Sequence, residues 1–316
     1  MALDLQPKMK NRVIPALLLV QVLFGLWHVV GSAVLDHLSP PALIGFRVYL
    51  STPNLLLMAG VWKRPLPNKR DLLHLMALGA MIIPGNQILY AEGLFRAGPI
   101  NASVLLMLAP VFTLALALIL KHEKFSWQGS LGIALAFVGA LGLAELDQFA
   151  LAPETTTGNL LLMAAAFCYA CYLVMAKGAF QRVGFLPGVA WVFLAGGIWA
   201  SPWTVPAVME VPWTGLPPEV IAMLTFVILG PTLGTYGLNA YALEKAPSSL
   251  VGVFITLQPV IAITLAGTLL DMELKASTLL WGLPVLAGVI LSSLSPSRMQ
   301  QPDSPSEPED SVETSG

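Results

Sequence analysis

Residues 85–120 read GNQILYAEGLFRAGPINASVLLMLAPVFTLALALIL, and residues 234–269 read GTYGLNAYALEKAPSSLVGVFITLQPVIAITLAGTL. A shift of 149 lays one stretch on the other without a gap. Identical pairs include Gly85/Gly234, Leu89/Leu238, Ala91/Ala240, Ala97/Ala246, Leu108/Leu257, Pro110/Pro259, Val111/Val260, Leu116/Leu265, Ala117/Ala266 and Leu120/Leu269, against roughly four matches expected by chance in so apolar a composition. Each stretch holds an apolar run, a short break and a second apolar run with a proline halfway along. The breaks are Ala97-Gly98-Pro99 and Ala246-Pro247-Ser248, and the prolines are Pro110 and Pro259. An acidic residue, Glu123 or Glu273, follows each stretch near the turn into the next apolar run.

The composition around these stretches excludes a soluble protein. Hydrophobic residues make up 56% of the 316 and charged residues only 11%, against about 25% charged in an average globular chain. The solvent of most of this surface must be lipid, and the bilayer is the first expected partner. The apolar runs predict ten helices, at about 13–35, 40–62, 72–95, 99–120, 127–146, 158–178, 185–204, 219–242, 249–270 and 276–295. Each is near the roughly 20 residues of a helical crossing. They are too long, and too apolar all round, for the alternating strands of a barrel. The first run also outlasts the apolar core of a signal peptide. The fold class expected is therefore all-α integral membrane. Residues 1–12 form an N-terminal segment, 13–146 and 158–295 two five-helix repeats, and 296–316 a Pro/Ser-rich acidic tail that is expected to stay disordered.

Charge placement sets the topology. With the N-terminus in the cytoplasm, thirteen of the sixteen Lys and Arg fall on the cytoplasmic side and two, Arg96 and Lys275, on the other; Arg47 lies within a span. That bias obeys the positive-inside rule and puts both termini in the cytoplasm. Trp62 and Trp127 fall at the inner boundary, and Trp203 and Trp213 at the outer, where interfacial tryptophans belong. An odd number of helices per half makes the repeats enter the membrane in opposite directions. Such inverted repeats mark secondary transporters, because two halves of like packing can exchange conformations and open a central cavity to each side in turn.

The chain resembles the drug/metabolite transporter superfamily in its EamA-type branch. The resemblance rests on Pro110, Glu123 and Gly129 in the first half, on Pro259, Glu273 and Gly282 in the second, and on Arg47 following Pro40-Pro41. It spans about residues 13–295. It implies a ten-helix carrier in the plasma (inner) membrane, with both termini cytoplasmic and a cavity built from helices 1–4 and 6–9. Helices 5 and 10 are then peripheral. It also implies export of amino acids, other small metabolites or drugs.

Polar residues inside the spans are the candidate site, since each is costly in lipid. Asn86 and Tyr90 lie i, i+4 on the third helix, and their repeat equivalents Thr235 and Asn239 lie i, i+4 on the eighth. Gln87 corresponds in the same way to Tyr236. This patch occurs twice at like depth and is the expected substrate contact, with interhelical hydrogen bonding as its alternative role. Tyr169, Tyr172, Gln21 and Trp27 are expected to extend the wall. Arg47 is expected to pair with Glu92, or Glu92 with Arg96; these charges and His28 are the candidates for ion pairing or proton coupling. Pro110 and Pro259 each remove a backbone hydrogen bond near mid-membrane and are candidate hinges.

Several functions are excluded or disfavoured. A net charge of −2 suggests no nucleic-acid surface. There is no P-loop, so ATP is not the direct energy source. Cys168-Tyr169-Ala170-Cys171 lies in an apolar run without a second pair, so no metal and no cofactor is expected. Gly230 and Gly234 are a close-packing pair at most. A membrane-embedded enzyme would need a nucleophile with its base, a carboxylate pair or a His cluster, and none is legible. A non-transporting receptor or scaffold is the remaining alternative. The expectation is a secondary carrier for a small-molecule substrate, and a homodimer is compatible with it.

Overall fold

A computed structural model describes residues 7–143, 153–258, 261 and 276–294. Every secondary-structure element among them is helical. In order these are α1 (Pro7–Leu35), α2 (Pro40–Ala59), α3 (Lys69–Ile82), α4 (Leu89–Leu106), α5 (Leu108–Ile119), α6 (Trp127–Leu143), α7 (Pro153–Val183), α8 (Phe185–Met209), α9 (Pro218–Ile228), α10 (Thr235–Lys245), α11 (Ser248–Val253) and α12 (Ala276–Leu294). Residues 40–63, 69–97, 155–183, 185–209 and 218–245 are long and apolar enough to cross a membrane. Shorter apolar helices lie at 12–27, 108–119, 127–139 and 280–292. The protein is a multi-pass membrane protein. Glu273 and Pro259 lie outside the described residues, as do the expected tail and the side chain of His28.

Local chemistry explains the ends. Pro40 opens α2 at a position where its missing N–H costs nothing, and Gly60, at φ 58°, closes it in a conformation that suits glycine. Asn68 caps α3 by accepting the Asp71 N–H at 2.8 Å. Asp71 is held in turn by Arg182 of α7 at 2.7 Å, which pins α3 to α7. The sixth expected span, 158–178, is longer at both ends. Pro153 opens α7, and the chain leaves it only at Gly184, φ 92°.

Three departures from the expected helices matter. The spans 72–95 and 219–242 are interrupted by π-helical segments, Ile83–Ile88 and Leu229–Gly234. Each contains a proline, Pro84 or Pro231, which cannot donate to the residue four back, and the wider turn absorbs the lost bond. The break at Ala97-Gly98-Pro99 does not interrupt the helical assignment of α4. The reversal there shows in the packing on α7: Asn86 reaches Ala165, Gly93 lies against Leu162 and Gly158, Asn101 bonds Asn159, and Phe112 meets Phe167. The span 99–120 is broken at Met107, three residues before Pro110, which has no N–H to give Leu106. A 3-10 turn, Phe254–Thr256, interrupts the equivalent stretch before Pro259.

The core lies among α2, α3, α7, α8, α10 and α11, where Phe180, Phe193, Tyr172 and Phe254 are fully enclosed. Small residues let these helices touch: a Cβ on Gly79 would stand 2.6 Å from the Gly196 nitrogen. Gly230 and Gly234 both lie against Leu23 of α1. Helix α6 packs chiefly on α12, through Gly132, Gly139 and Gly288.

Candidate functional site

The first π segment, the start of α10 and the end of α4 at the Met107 break meet at one cavity. Its polar lining is Arg47, Asn86, Gln87, Tyr90, Tyr169, Tyr236 and Gln258. Trp27, Phe24, Ile44, Leu106 and Ile255 supply the apolar wall. Leu106 and Ile255 are equivalent under the shift of 149, and so are Gln87 and Tyr236.

Gln87 and Tyr236 touch. The Gln87 amide donates to Tyr236 Oη at 2.9 Å, joining the two π-interrupted spans. The Gln87 Oε1 and the Asn239 Oδ1 are buried without a partner among the described residues. Asn86 lines the cavity, but its amide is spent on the Ala165 carbonyl at 3.0 Å, which ties α7 to the first π segment. Tyr90 lines the cavity beside it.

Not every expected residue meets the cavity. The Thr235 hydroxyl folds back onto the Pro231 carbonyl at 2.6 Å and is wholly buried. Asn239 stands behind the wall and donates to Tyr169 Oη at 3.3 Å. Tyr172 stacks on Tyr169, ring centroids 6.3 Å apart, with its own hydroxyl unpartnered among the described residues. Gln21 accepts from Gln258 at 2.9 Å and so braces a lining residue. The patch that is symmetric in sequence is asymmetric in use: the α3–α4 side faces the cavity, and the α10 side mostly supports it.

Arg47 takes partners other than the acid considered for it. Glu92 pairs with Arg96 at 3.2 Å, one turn away. The Arg47 Nε donates to Thr232 Oγ1 at 3.1 Å, in the second π segment, and its Cζ lies 4.2 Å from the centre of the Trp27 ring. Thr232 passes the bond on to the Val227 carbonyl at 2.7 Å. The guanidinium thus lies over an aromatic ring, 3% exposed, with no carboxylate partner among the described residues.

A second polar cluster lies where α5 turns toward α6. The Glu123 carboxylate accepts from Ser248 Oγ at 2.9 Å, from the Ser249 N–H at 3.1 Å and from Ser249 Oγ. It therefore caps the start of α11 from the other half of the chain, where the helix dipole favours an anion. Phe24, Gln258, Ile255, Leu106, Thr232 and this clasp were not anticipated. The one signal available was that Gln258 is a lone amide in an apolar run beside Pro259.

The EamA-like transporter family matches twice, over residues 11–144 and 156–294. The chain is 24% identical over 302 residues to the uncharacterized transporter YdfC of Bacillus subtilis, covering 93% of this chain and 95% of that one. It is 27% identical to a probable amino-acid metabolite efflux pump of Salmonella typhimurium, over 87% and 92% of the two chains. It is 25% identical to a probable terminal-alkyne amino-acid exporter of Streptantibioticus cattleyicolor, over 78% and 81%. A solved crystal structure has the same fold at TM-score 0.73 and 17% identity, covering 90% of this chain and 97% of that one. Two family matches that together take in both halves of the chain, and the cavity between them, make this protein a membrane transporter of the EamA-like family.

Proposed function

We propose that the protein is a secondary carrier that exports a small metabolite, an amino acid or an amphiphilic drug-like compound, by alternating access. The observation that carries this is the Gln87–Tyr236 contact. Two residues equivalent under the internal repeat are bonded to each other in the wall of the cavity. Equivalent residues of two halves meet near the axis that relates the halves, so the cavity lies on that axis. Ten spans in two inverted five-helix repeats, 13–146 and 158–295, have this geometry. Pro110 and Pro259 are the proposed hinges: the break at Met107 lies three residues before Pro110, and a 3-10 turn, Phe254–Thr256, precedes Pro259 in the sequence.

By the charge bias both termini are cytoplasmic, and the family resemblance implies the plasma (inner) membrane. Glu123 and Ser248 then lie at the cytoplasmic end, and Trp27, Arg47 and Tyr90 in the outer halves of their helices. The Glu123–Ser248 contact then joins the two halves at the cytoplasmic end. Protons would couple through His28 or Glu92, and transport in proteoliposomes that ignores a pH gradient removes both from the mechanism.

The test compares extracellular metabolites with and without overexpression. Export of one or a few compounds is expected, and Tyr90→Ala or Gln87→Ala should abolish it at unchanged membrane levels. Thr235→Ala, away from the cavity, should leave it intact. Full export by both cavity variants would overturn the site.

A further inference from the structure

Among the described residues that line it, the cavity holds one cation, Arg47, and no Asp or Glu. A buried, unneutralised guanidinium in a membrane protein is costly. Its Nε is used by Thr232 and one face by Trp27, so the terminal N–H groups are the edge left to receive a ligand. That edge matches the planar oxygens of a carboxylate. The remaining wall, Phe24, Ile44, Leu106 and Ile255, is apolar.

We propose that Arg47 anchors the carboxylate of the cargo, and that the preferred cargo is a monocarboxylate with an apolar body whose recognition does not depend on an amine. The proposal rests on the carrier reading above and narrows its substrate. Charge counting decides the amine. A monocarboxylate neutralises the one charge that lines the cavity, a zwitterion leaves the charge of Arg47 uncompensated, and an amine doubles it. Each uncompensated charge adds desolvation cost in a medium of low dielectric.

Thermal unfolding of the purified full chain in detergent at neutral pH tests this with two matched series. One is phenylpropanoate, L-phenylalanine and phenethylamine; the other is isocaproate, L-leucine and isoamylamine. Within at least one series stabilisation should fall in the order acid, amino acid, amine, with no effect of the amine. Arg47→Gln should weaken binding of the acid by roughly tenfold or more, the loss expected for a hydrogen bond to a charged group. Stabilisation by an amine equal to that of its acid, an amino acid preferred over its acid in both series, no response to either acid, or undiminished binding by Arg47→Gln would each overturn the proposal. The ranking in the natural chain decides alone where Arg47→Gln does not fold. Export that persists while the ranking fails leaves the carrier reading standing, and absent export with an intact ranking removes that reading alone.

Discussion

Single residues set both the polarity of the cavity and the cost of maintaining it. Gln87 satisfies its amide on Tyr236 and leaves Oε1 bare, so the pair already carries one unmet acceptor. Tyr236→Phe removes the last partner of the amide and strands a second buried polar group, at a cost of about 1–3 kcal/mol. Adding Gln87→Leu to that variant removes both stranded groups. The double variant should therefore unfold at a higher temperature than Tyr236→Phe alone, while export is lost. Equal or lower stability of the double variant would show that the pair is not the bond described. The one-dimensional pattern made Gln87, Tyr236, Asn86, Tyr90, Tyr169, Trp27 and Arg47 legible, because a polar residue in lipid needs a reason. It included the Glu92–Arg96 pair but missed the partner of Arg47: the helical period ranks neighbours on one span, whereas Thr232 lies 185 residues from Arg47. It also hid Gln258, whose repeat equivalent is Ala109, so the symmetry that exposed Gln87 and Tyr236 pointed away from it.

Helices pack here by what they leave out. Gly288 and Gly282 both lie on α12, two turns or less apart, yet their surroundings differ completely. A Cβ on Gly288 would stand 2.4 Å from the Ala136 nitrogen and 2.5 Å from the Gly132 carbonyl, both backbone atoms that cannot turn aside. A Cβ on Gly282 would meet nothing within 4 Å among the described residues. Gly288→Leu must push α12 off α6, and overpacking of this kind costs about 1–3 kcal/mol or more. Gly282→Leu should be silent in the same thermal unfolding assay. Equal behaviour of the two would contradict the α6–α12 contact. The apolar lengths made most of these helices visible in advance. The π segments were not, because Pro84 and Pro231 inside long apolar runs read equally well as kinks. The reversal at 97–99 was legible from Gly98-Pro99, although the helical hydrogen bonding runs through it.

At the scale of the whole molecule, the alternating-access proposal requires that closure at the cytoplasmic end be cheap enough to reverse. The Glu123 clasp is suited to that: three donors from α11 converge on one part-buried carboxylate. A hydrogen bond to a charged group contributes about 1.5–3 kcal/mol, so losing the clasp should shift the balance toward the cytoplasm-open state by roughly tenfold or more. Val251, 1% exposed and within one turn of the clasp, reports on that opening. In a chain with Cys168 and Cys171 replaced by alanine and Val251→Cys introduced, a membrane-impermeant maleimide should label inside-out vesicles slowly. Adding Glu123→Ala should speed the labelling by about that factor. Glu123→Gln, which keeps an acceptor but not the charge, should fall between. The same three chains labelled in right-side-out vesicles should show no increase, since the clasp governs one end only. Unchanged labelling of Glu123→Ala in inside-out vesicles would mean that the apolar contacts of Leu243, Val251 and Phe254 hold this end shut by themselves. The transport cycle would then have to be driven by those contacts instead of by the release of α11 from Glu123.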